Sequence, residues 1–483
     1  MTKRALAVIL GIGFGYRLLF IAKSQLRTDE LMQALVVRSD SAAAMLDRMR
    51  GGGFLSTPLD PLLQRAAVFF LGESAWSLRL HAAILGALSV WLCYRVARFL
   101  FGERVALYTS ALFALYPLHH HCSQEGLPYA LSTFLTLLSY DLLLRLSFQA
   151  LRGWLWWLAL TGVEVLLLFS SPAGIAALLS QCVALVLCLV WKDNEGAVGE
   201  RGYGEAREAG MRGIELKTVF AFAACAVLAC ALFWPWAHFA WAGRSVANPE
   251  ALDLRLIRRI IKELGDGSYP FSGLLVVGLA TGISVLLRHG RTNILPLLAA
   301  WFVIPPGVIY LLDRWAGDSL AIGQILPCTP PLILVAGYGV TYIGERLTIL
   351  DRLPSQLGSP ALVYAALFAI GSVAIAQSHW RRAPTDWQGA AQFLQETVRA
   401  GDTLIIPAGA PLIEYYAPRL AEFRSPESPS GAVAGTTDRT GRRILVCLNS
   451  LRLDPCADVK SVAKGGLPPV AREFAGLTVF TRE

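Results

Sequence analysis

The sequence predicts an α-helical polytopic membrane protein with about eleven spans, followed by a small α/β domain at its C-terminus. The 483 residues are 55% hydrophobic and only 16% charged, whereas soluble domains carry about 25% charged residues. Apolar runs close to the roughly 20 residues that cross a bilayer recur along the chain. Near residue 380 the composition changes to short apolar runs separated by polar segments.

The first apolar run, residues 5–22, resembles either a signal peptide or a first span, because Lys3 and Arg4 precede it. No small-residue cleavage site follows, and Arg17 interrupts the apolar centre; both features argue against a signal peptide. An uncleaved first span is therefore predicted.

Ten further apolar runs complete the predicted membrane domain. Two of them, 105–118 and 154–169, are short, and we expect the protein itself to bury them. The predicted spans are 5–22, 77–99, 105–118, 127–147, 154–169, 172–191, 217–240, 271–287, 294–312, 324–344 and 361–379.

The distribution of Lys and Arg predicts the orientation, because short loops rich in these residues stay in the cytoplasm. With a cytoplasmic N-terminus, every predicted cytoplasmic loop carries at least two basic residues, and an odd number of spans places the C-terminal segment outside. The predicted cytoplasmic loops are Arg95–Arg104, Arg145–Arg152, Lys192–Lys217, Arg288–Arg291 and Glu345–Gly358.

Two of the predicted outside loops are long. The first, 23–76, is of the kind that is often functional when ordered. In the other, 241–270, apolar residues recur at helical spacing while basic residues occupy the other faces. This pattern predicts an amphipathic helix at the membrane interface. Its basic residues include Arg258, Arg259 and Lys262.

The segment 380–483 is predicted to be a soluble α/β domain, distinct from the transmembrane domain 1–379. About 100 residues are enough for independent folding. The stretch Ser425–Arg443 is rich in Ser, Pro, Gly and Thr, which predicts a loop. The composition predicts a helix over Asp386–Arg399. It predicts strands over Thr403–Pro407, Ile444–Leu448 and Leu477–Thr481.

Composition also limits the partners and cofactors. The net charge of +8 does not indicate nucleic-acid binding, because Lys and Arg lie mostly in short loops between apolar runs. The nine cysteines include no Cys-x-x-Cys pair, which excludes a zinc ribbon. Cys447 and Cys456 lie in the predicted outside segment, where a disulfide between them is left open.

Acidic residues in the predicted outside loops are the main candidates for chemistry. Asp29 and Glu30 follow the first span, and Glu125 follows the third. If the two loops converge, the carboxylates form a cluster at the membrane surface that suits general-base catalysis or ion binding. The alternative is that these acids are solvated and take no part in chemistry.

Further motifs accompany these acids in a fixed order along nearly the whole chain. They are Asp29-Glu30, Gly72-Glu-Ser-Ala-Trp-Ser-Leu-Arg79-Leu80, Phe101-Gly102-Glu-Arg104-Val105, Ser123-Gln-Glu125-Gly-Leu-Pro-Tyr129-Ala-Leu131, Asp386-Trp387-Gln-Gly-Ala-Ala, Gly401-Asp402-Thr-Leu-Ile-Ile and Tyr415-Tyr416-Ala-Pro418. As an ordered set they resemble the bacterial protein-mannosyltransferase-like members of the GT-C glycosyltransferase superfamily (glycosyltransferase family 39).

The resemblance implies an inverting transfer of a sugar from a polyprenyl-phosphate carrier to an acceptor protein, lipid or glycan. The reaction is expected on the outer face of a bacterial inner membrane, with the C-terminal domain in the periplasm. Catalytic roles are implied for Asp29, Glu30 and Glu125, with Asp29 as the base. The leaving lipid phosphate requires cations or hydrogen-bond donors, and the candidates are Arg17, Arg27, Arg79, Gln124, Tyr129, Arg258, Arg259, Lys262 and Gln324.

Two positions depart from the family pattern. Leu127 stands where the Ser-Gln-Glu element has an arginine, and Gln324 stands where an arginine opens the tenth span. Because both arginines are expected to face the phosphate, their replacement motivates a second hypothesis. In that hypothesis the chain is a catalytically diverged GT-C scaffold that acts as a subunit of a membrane complex.

A divalent cation is left open, although no cofactor is certain from the resemblance. Imidazole nitrogens and carboxylate oxygens both bind zinc, and one short loop contains His119, His121 and Glu125. The alternative is a polar loop near lipid phosphates that holds no metal.

Overall fold

The computed structural model describes most of the membrane domain and parts of the C-terminal segment. Within these residues the structure is helical up to Arg381, and one further helix and a four-stranded sheet follow. The described residues are 2–19, 21, 25–50, 57–148, 151–171, 173–192, 215–242, 254–289, 291–316, 322–347, 360–381, 385–400, 402–405, 413, 415–423, 443–448, 470–475 and 477–482.

Seventeen α-helices and four strands are found in the described part of the chain. The helices are α1 Thr2–Leu18, α2 Thr28–Val37, α3 Ala42–Arg50, α4 Leu59–Leu71, α5 Ala75–Phe101, α6 Glu103–Leu115, α7 Pro117–Cys122, α8 Tyr129–Ser147, α9 Trp154–Ser170, α10 Ala173–Lys192, α11 Leu216–Ala242, α12 Leu254–Leu264, α13 Tyr269–Arg288, α14 Leu295–Ala316, α15 Pro330–Leu347, α16 Pro360–Arg381 and α17 Trp387–Thr397. The strands are β1 Thr403–Ile405, β2 Arg443–Leu448, β3 Val470–Phe474 and β4 Leu477–Arg482.

The predicted fold class, a helical membrane protein with a small C-terminal α/β segment, is confirmed. Each predicted span overlaps one of the helices. Two shorter apolar helices are Trp154–Ser170 and Leu295–Leu311. Six described segments are long and apolar enough to cross a membrane, namely Ala75–Phe101, Tyr129–Ser147, Ala173–Val190, Leu216–His238, Tyr269–Arg288 and Leu362–His379.

The tenth span begins differently from its prediction. A 3₁₀ helix, Ile322–Cys328, precedes α15, which starts only at Pro330. Pro327 has no backbone N–H, and prolines favour the first turn of an α-helix over its interior. The carbonyl of Pro327 accepts a hydrogen bond of 3.0 Å from the buried indole of Trp301, which fixes this irregular entry against α14.

The chain divides into two compact units. The first comprises Met1–Ile21 and Asp40–His379, and the second comprises Ala22–Ser39 and Trp380–Glu483. The first part of the predicted outside loop 23–76 thus belongs with the C-terminal segment, while its remainder, including α3 and α4, belongs with the membrane helices.

Close helix contacts hold the first unit together. Gly282 of α13 lies so near α15 that a Cβ atom added there would sit 2.0 Å from the carbonyl oxygen of Val335, and Gly339 faces the backbone of Gly282 in return. Small residues of this kind let membrane helices approach closely. Elsewhere in the core, Tyr140 and Trp301 stack with ring centroids 3.7 Å apart.

One end of the first unit gathers charged residues from three predicted cytoplasmic loops. The buried Asp141 carboxylate pairs with Arg95 at 2.6 Å and with Arg145 at 2.9 Å. Arg291 donates a hydrogen bond of 3.4 Å to the carbonyl of Leu100. Loops 95–104, 145–152 and 288–291 therefore meet at the same end of the helical unit.

The sheet of the second unit has the strand order β1-β2-β4-β3. Strand β1 is parallel to β2, with Leu404 opposite Ile444, and the other two pairings are antiparallel. The three predicted strands are present. Strand β3 was not predicted, because its residues Ala471-Arg472-Glu473 lack strand composition. The predicted loop at Ser425–Arg443 lies almost entirely outside the described residues.

Helix α17 supplies the helical layer of the second unit, as predicted from Asp386–Arg399. The Asp386 carboxylate caps its N-terminus by accepting a hydrogen bond of 2.8 Å from the Gly389 N–H. Trp387 is buried, and its indole N–H donates to the hydroxyl of Thr28 at the start of α2. Arg38, just after α2, donates to the carbonyl of Tyr415, so α2 is attached at both ends within this unit.

Candidate functional site

The Asp29-Glu30 pair lies in the first turn of α2, in the second unit. Glu30 is 2% exposed, and its carboxylate accepts a hydrogen bond of 2.8 Å from the backbone N–H of Arg27. Asp29 and Arg27 are exposed. Both acids are favoured electrostatically at a helix N-terminus. The structure therefore separates the pair into a buried capping residue, Glu30, and an exposed carboxylate, Asp29.

The Ser-Gln-Glu element lies in the first unit, in the turn between α7 and α8. The Gln124 amide donates to the carbonyls of Arg17 and Leu19, at 3.0 and 2.6 Å, and so closes the C-terminal end of α1. Ser123 packs on Gly86, where an added Cβ would lie 2.2 Å from the serine Oγ. Only a glycine at position 86 leaves room for this turn.

Arg17 lies at the last turn of α1 with no exposed surface. Its guanidinium donates to the carbonyls of Gly13 and Ala114, at 2.7 and 3.2 Å, and approaches Nδ1 of His119 at 2.6 Å. Burial and the neighbouring Arg17 charge hold the pKa of His119 well below its usual range. A neutral His119 then accepts from Arg17 through Nδ1, because a guanidinium can only donate.

Arg79 is also buried, and it donates a hydrogen bond of 2.9 Å to the carbonyl of Ile21 beyond the end of α1. Within the described residues, Arg17, Arg79 and Gln124 thus all bind main-chain carbonyls near the end of α1. Their predicted contact with a lipid phosphate stays a prediction.

Tyr129 is the residue of the Ser-Gln-Glu element that meets the tenth span. A Cβ atom added at Gly323 would lie 2.2 Å from Cδ2 of the Tyr129 ring, so the ring packs directly on this glycine. Gln324 follows in the chain and is half-buried, and Leu127 is 8% exposed. Both positions where the family has an arginine therefore lie near Tyr129. Leu127 is two residues before it in the chain, and Gln324 follows the glycine on which its ring packs.

The predicted amphipathic helix is present as α12. Arg258 is exposed and Arg259 is half-buried. The Lys262 ammonium lies 5.8 Å from the ring centroid of Tyr269. The helix is thus confirmed, and the role of its three cations towards a lipid phosphate stays a prediction.

A pair formed by the buried Asp60 and the half-buried His81 anchors α4, and no motif in the sequence predicted it. Asp60 has no exposed surface and lies 2.8 Å from Nε2 of His81. The Gln64 amide donates to Asp60 and, at 2.7 Å, to the carbonyl of Gly126. These contacts attach α4 to the residue that follows Glu125. The available signal was an acid between two prolines, Pro58 and Pro61, in an apolar stretch.

Glu125 belongs to a second cluster, which also contains His121, Asp266 and His379. His121 Nε2 lies 3.2 Å from Glu125 Oε1, and His121 Nδ1 lies 3.0 Å from Asp266 Oδ1. His379 Nε2 lies 3.0 Å from Asp266 Oδ2, and the two imidazole rings are 4.0 Å apart at their centroids. We call His121, Asp266 and His379, with Glu125 beside them, the histidine–aspartate cluster.

The carboxylates of this cluster attract positive charge strongly. Burial alone would lower the pKa of His121, but Glu125 and Asp266 outweigh it and raise this pKa to about 10. Burial alone would raise the pKa of Asp266, but His121 and His379 hold it well below its usual range. In the absence of another cation, Asp266 is therefore an ionised carboxylate that faces both imidazole rings.

The two histidines predicted from the sequence as metal ligands, His119 and His121, have different partners in the structure. His119 binds Arg17, whereas His121 joins Asp266 and His379. One donor atom from each of the latter three residues lies within 4.8 Å of the other two, and no other such group occurs in the described part of the chain. Asp266 and His379 were missed because they lie far from His121 in the sequence.

Part of the chain matches a known protein family. Residues 56–192 match the family described as dolichyl-phosphate-mannose-protein mannosyltransferase. This segment contains the whole of α4 to α10, and therefore Asp60, Arg79 and Glu125. No curated protein sequence is significantly similar to the chain.

Solved structures resemble the chain over a greater length. ArnT from Cupriavidus metallidurans in the apo state has a TM-score of 0.58 at 14% sequence identity, over 99% of this chain and 97% of that one. The same protein bound to undecaprenyl phosphate has a TM-score of 0.53 at 15% identity over the same shares.

An archaeal protein is similar over a smaller share of its length. The oligosaccharyltransferase AglB from Archaeoglobus fulgidus, in complex with an inhibitory peptide and a dolichol-phosphate, has a TM-score of 0.51 at 12% identity, over 86% of this chain and 63% of that chain. This chain thus spans less than two thirds of AglB. At such identities the likeness is one of fold, and the chain has the fold of the GT-C glycosyltransferases.

Proposed function

We propose that this protein is a membrane glycosyltransferase that moves a sugar from a polyprenyl-phosphate carrier to an acceptor on the outer face of the membrane. The likeness of fold to ArnT over nearly the full length of both chains carries the proposal. The ArnT structure with bound undecaprenyl phosphate supports a polyprenyl phosphate as the leaving group. The acceptor is a protein, a lipid or a glycan.

The proposed chemistry is a single inverting displacement. An acceptor hydroxyl oxygen forms a bond to the anomeric carbon while the bond from that carbon to the phosphate oxygen breaks. The bonding electron pair leaves with the lipid phosphate, and the hydroxyl proton passes to a carboxylate. Asp29 is proposed as this base, because its carboxylate is exposed whereas that of Glu30 is buried and holds the Arg27 N–H.

The leaving phosphate needs compensating positive charge. Arg27, Arg258, Arg259 and Lys262 are proposed for this role, since all four lie on predicted outside segments. Gln324 would contribute amide donors where the family has an arginine. Glu125 is proposed to position the acceptor through the Ser-Gln-Glu turn.

Donor turnover by the purified full-length chain tests the proposal. A panel of undecaprenyl-phosphate hexoses and pentoses is supplied with an extract of the native cell envelope as acceptor, and release of undecaprenyl phosphate is measured by mass spectrometry. Wild type is expected to release it from at least one donor. Asp29→Asn is expected to lower the rate by about 10²–10⁴-fold, the usual loss when a general base is removed.

Asp47→Asn is the matched control, because Asp47 is an exposed acid in the same predicted loop and pairs with Arg50. This variant is expected to keep wild-type activity. Unchanged turnover in Asp29→Asn would remove Asp29 as the base.

The second candidate function is a GT-C scaffold that serves as a subunit of a membrane complex. The apolar Leu127 and the uncharged Gln324, both beside Tyr129, favour it because they remove two phosphate-facing cations. Purification at native abundance in a mild detergent distinguishes the two functions. A stoichiometric partner, together with no release from any donor, would replace the enzymatic proposal.

A further inference from the structure

The histidine–aspartate cluster joins three segments of the first unit at one point. His121 belongs to α7, Asp266 to the turn between α12 and α13, and His379 to the C-terminal part of α16. We propose that these three side chains bind a divalent cation of the zinc class, and that Glu125 orients His121 for this role.

The spacing of the donor atoms suits a small metal site. Zinc binds imidazole nitrogen and carboxylate oxygen at about 2.0–2.2 Å, which places tetrahedral ligand atoms about 3.3–3.6 Å apart. The Asp266 carboxylate already lies 3.0 Å from a nitrogen of each histidine, and all three donor atoms lie within 4.8 Å of one another. Shifts of up to about 1.5 Å would bring the donor atoms to the separations of tetrahedral ligands.

The kind of donor favours a transition metal. Two imidazole nitrogens and a carboxylate oxygen are typical ligands of zinc and its neighbours, whereas magnesium and calcium prefer oxygen ligands alone. With neutral histidines, Asp266 and Glu125 together carry two negative charges, which a divalent cation would balance. The side chains of His121 and His379 are 22% and 19% exposed, so the cluster is not sealed within the helical core.

Glu125 supplies the outer support that metal-binding histidines usually have. His121 Nε2–H donates to the Glu125 carboxylate at 3.2 Å, while Nδ1 faces Asp266. This hydrogen bond selects the tautomer in which Nδ1 carries the lone pair that a metal needs. Carboxylate–histidine–metal arrangements of this kind are common, and they fix the orientation of the ring.

The backbone places Asp266 at a conformational cost. Its φ of 52° lies in the left-handed region, and Gly267 follows with φ of 85°. Residues other than glycine rarely adopt this conformation, although Asn and Asp do so more readily than most. The N–H groups of Asp266 and Gly267 bond back to Glu263 and Lys262, at 2.8 and 3.0 Å, and so close the end of α12. A strained, buried acid aimed at two histidines is consistent with a ligand position.

Two further hydrogen bonds hold this turn in place. The buried Tyr116 hydroxyl donates to the carbonyl of Leu264 at 2.7 Å, and the Ser272 hydroxyl donates to the carbonyl of Ile261 at 2.7 Å. Tyr116 lies directly before α7, the helix that carries His121. The two chain segments that supply His121 and Asp266 are therefore tied together independently of any ion.

Metal binding by the purified protein tests this proposal without any sugar substrate. The full chain carries an affinity tag that lacks histidine, is stripped with EDTA, and is titrated with Zn²⁺ against a chromophoric chelator. Wild type is expected to bind one Zn²⁺ per chain. His379→Gln and Asp266→Asn are each expected to weaken binding by at least about 10²-fold, since each removes a direct ligand.

Two further variants sharpen the test. Glu125→Gln is expected to weaken Zn²⁺ affinity by about 10–100-fold, the usual loss for an outer-shell partner. His289→Ala is the control, because His289 bonds to the Tyr338 hydroxyl at 2.8 Å, in another part of the first unit, and it is expected to bind Zn²⁺ like wild type.

Thermal unfolding shows whether each variant is folded. Saturating Zn²⁺ is expected to raise the Tm of wild type and of His289→Ala, and to leave the Tm of His379→Gln unchanged. Wild type that binds no Zn²⁺ at micromolar free concentration would overturn the proposal. Wild-type affinity in both His379→Gln and Asp266→Asn would overturn it equally, since the bound ion would then lie elsewhere.

Discussion

At the scale of residues, two adjacent acids differ in what they can do. Glu30 accepts a backbone hydrogen bond at the start of α2 and is almost fully buried, whereas Asp29 is exposed on the same turn. A carboxylate that removes a proton must reach the acceptor hydroxyl. Exposure therefore favours Asp29 as the base, whereas the buried Glu30 caps the N-terminus of α2.

Stability measurements should separate these roles. Glu30→Ala is expected to destabilise the protein by about 0.5–2 kcal/mol, because it removes a helix-capping acceptor and a favourable charge at the N-terminus of α2. Asp29→Asn is expected to lower the free energy of unfolding by less than Glu30→Ala does, because it removes a charge at the helix N-terminus but no capping acceptor. Denaturant titration followed by circular dichroism measures both. A larger loss in Asp29→Asn than in Glu30→Ala would reverse the assignment.

His121 shows how one side chain can link two groups of different origin. Its two ring nitrogens contact Glu125, from the Ser-Gln-Glu element, and Asp266, from a turn 145 residues further along the chain. The acid of the recognised motif is thereby connected to a cluster that no local motif announces.

At the scale of elements, the inner side of α4 combines polar contacts with apolar packing by Leu59 and Leu63. Its exposed side carries Phe69 and Phe70, at 81% and 79% exposure. Its inner side carries Asp60, which pairs with His81, and Gln64, which bonds to the carbonyl of Gly126. The position of α4 relative to the turn that contains Glu125 therefore depends on a few hydrogen bonds.

Removal of the Gln64 amide should reveal this dependence. Gln64→Leu removes the hydrogen bonds that the amide donates to Asp60 and to the carbonyl of Gly126, and each such bond contributes about 0.5–1.5 kcal/mol. The expected result is a lower Tm in thermal unfolding of the detergent-solubilised protein. Phe69→Leu on the same helix is the control and should leave the Tm close to that of wild type. Equal Tm values for the two variants would show that this contact does not stabilise α4.

The end of α12 illustrates a second element whose geometry is decided by its turn. Gly265 has no room for a side chain, because an added Cβ would lie 2.3 Å from the carbonyl oxygen of Ser268. Gly265 and Gly267 flank Asp266, and together these residues end α12 and begin α13 within a few positions. The apolar spacing predicted the helix, but its abrupt end places the carboxylate.

At the scale of the whole molecule, helix length and loop charge predict the membrane topology of the chain. Three basic loops meet at one end of the helical unit around Asp141 and Leu100. The positive-inside rule predicts that this end faces the cytoplasm. The C-terminal segment 380–483 is then predicted on the opposite side.

Reporter fusions test this orientation. Alkaline phosphatase requires disulfides and folds only outside the cytoplasm, so a fusion after Glu483 is expected to be active. A fusion after Phe148, in the predicted cytoplasmic loop that follows α8, is expected to be inactive. The reverse pattern would invert the predicted topology and with it the face on which Asp29 lies.

The sequence by itself determined most of the described helices and three of the four described strands. The length of each apolar run determines where the chain can cross the membrane. The residues of β2 and β4 are of types that favour strands, so these elements follow from local sequence. The ordered motifs around Asp29 and Glu125 predicted the GT-C fold, and the likeness to ArnT confirmed it. Strand β3 was missed because its polar residues form a strand only through pairing with β4.

Only the tertiary structure decided which polar groups act together. Asp29 and Glu30 are adjacent carboxylates that the sequence cannot distinguish, and they differ because folding buries Glu30 and leaves Asp29 exposed. His121, Asp266 and His379 come from three separate segments, and nothing in their local sequence requires them to meet. Hydrogen bonds and ion pairs act over a few ångströms, so distant residues become partners only after the helices have packed.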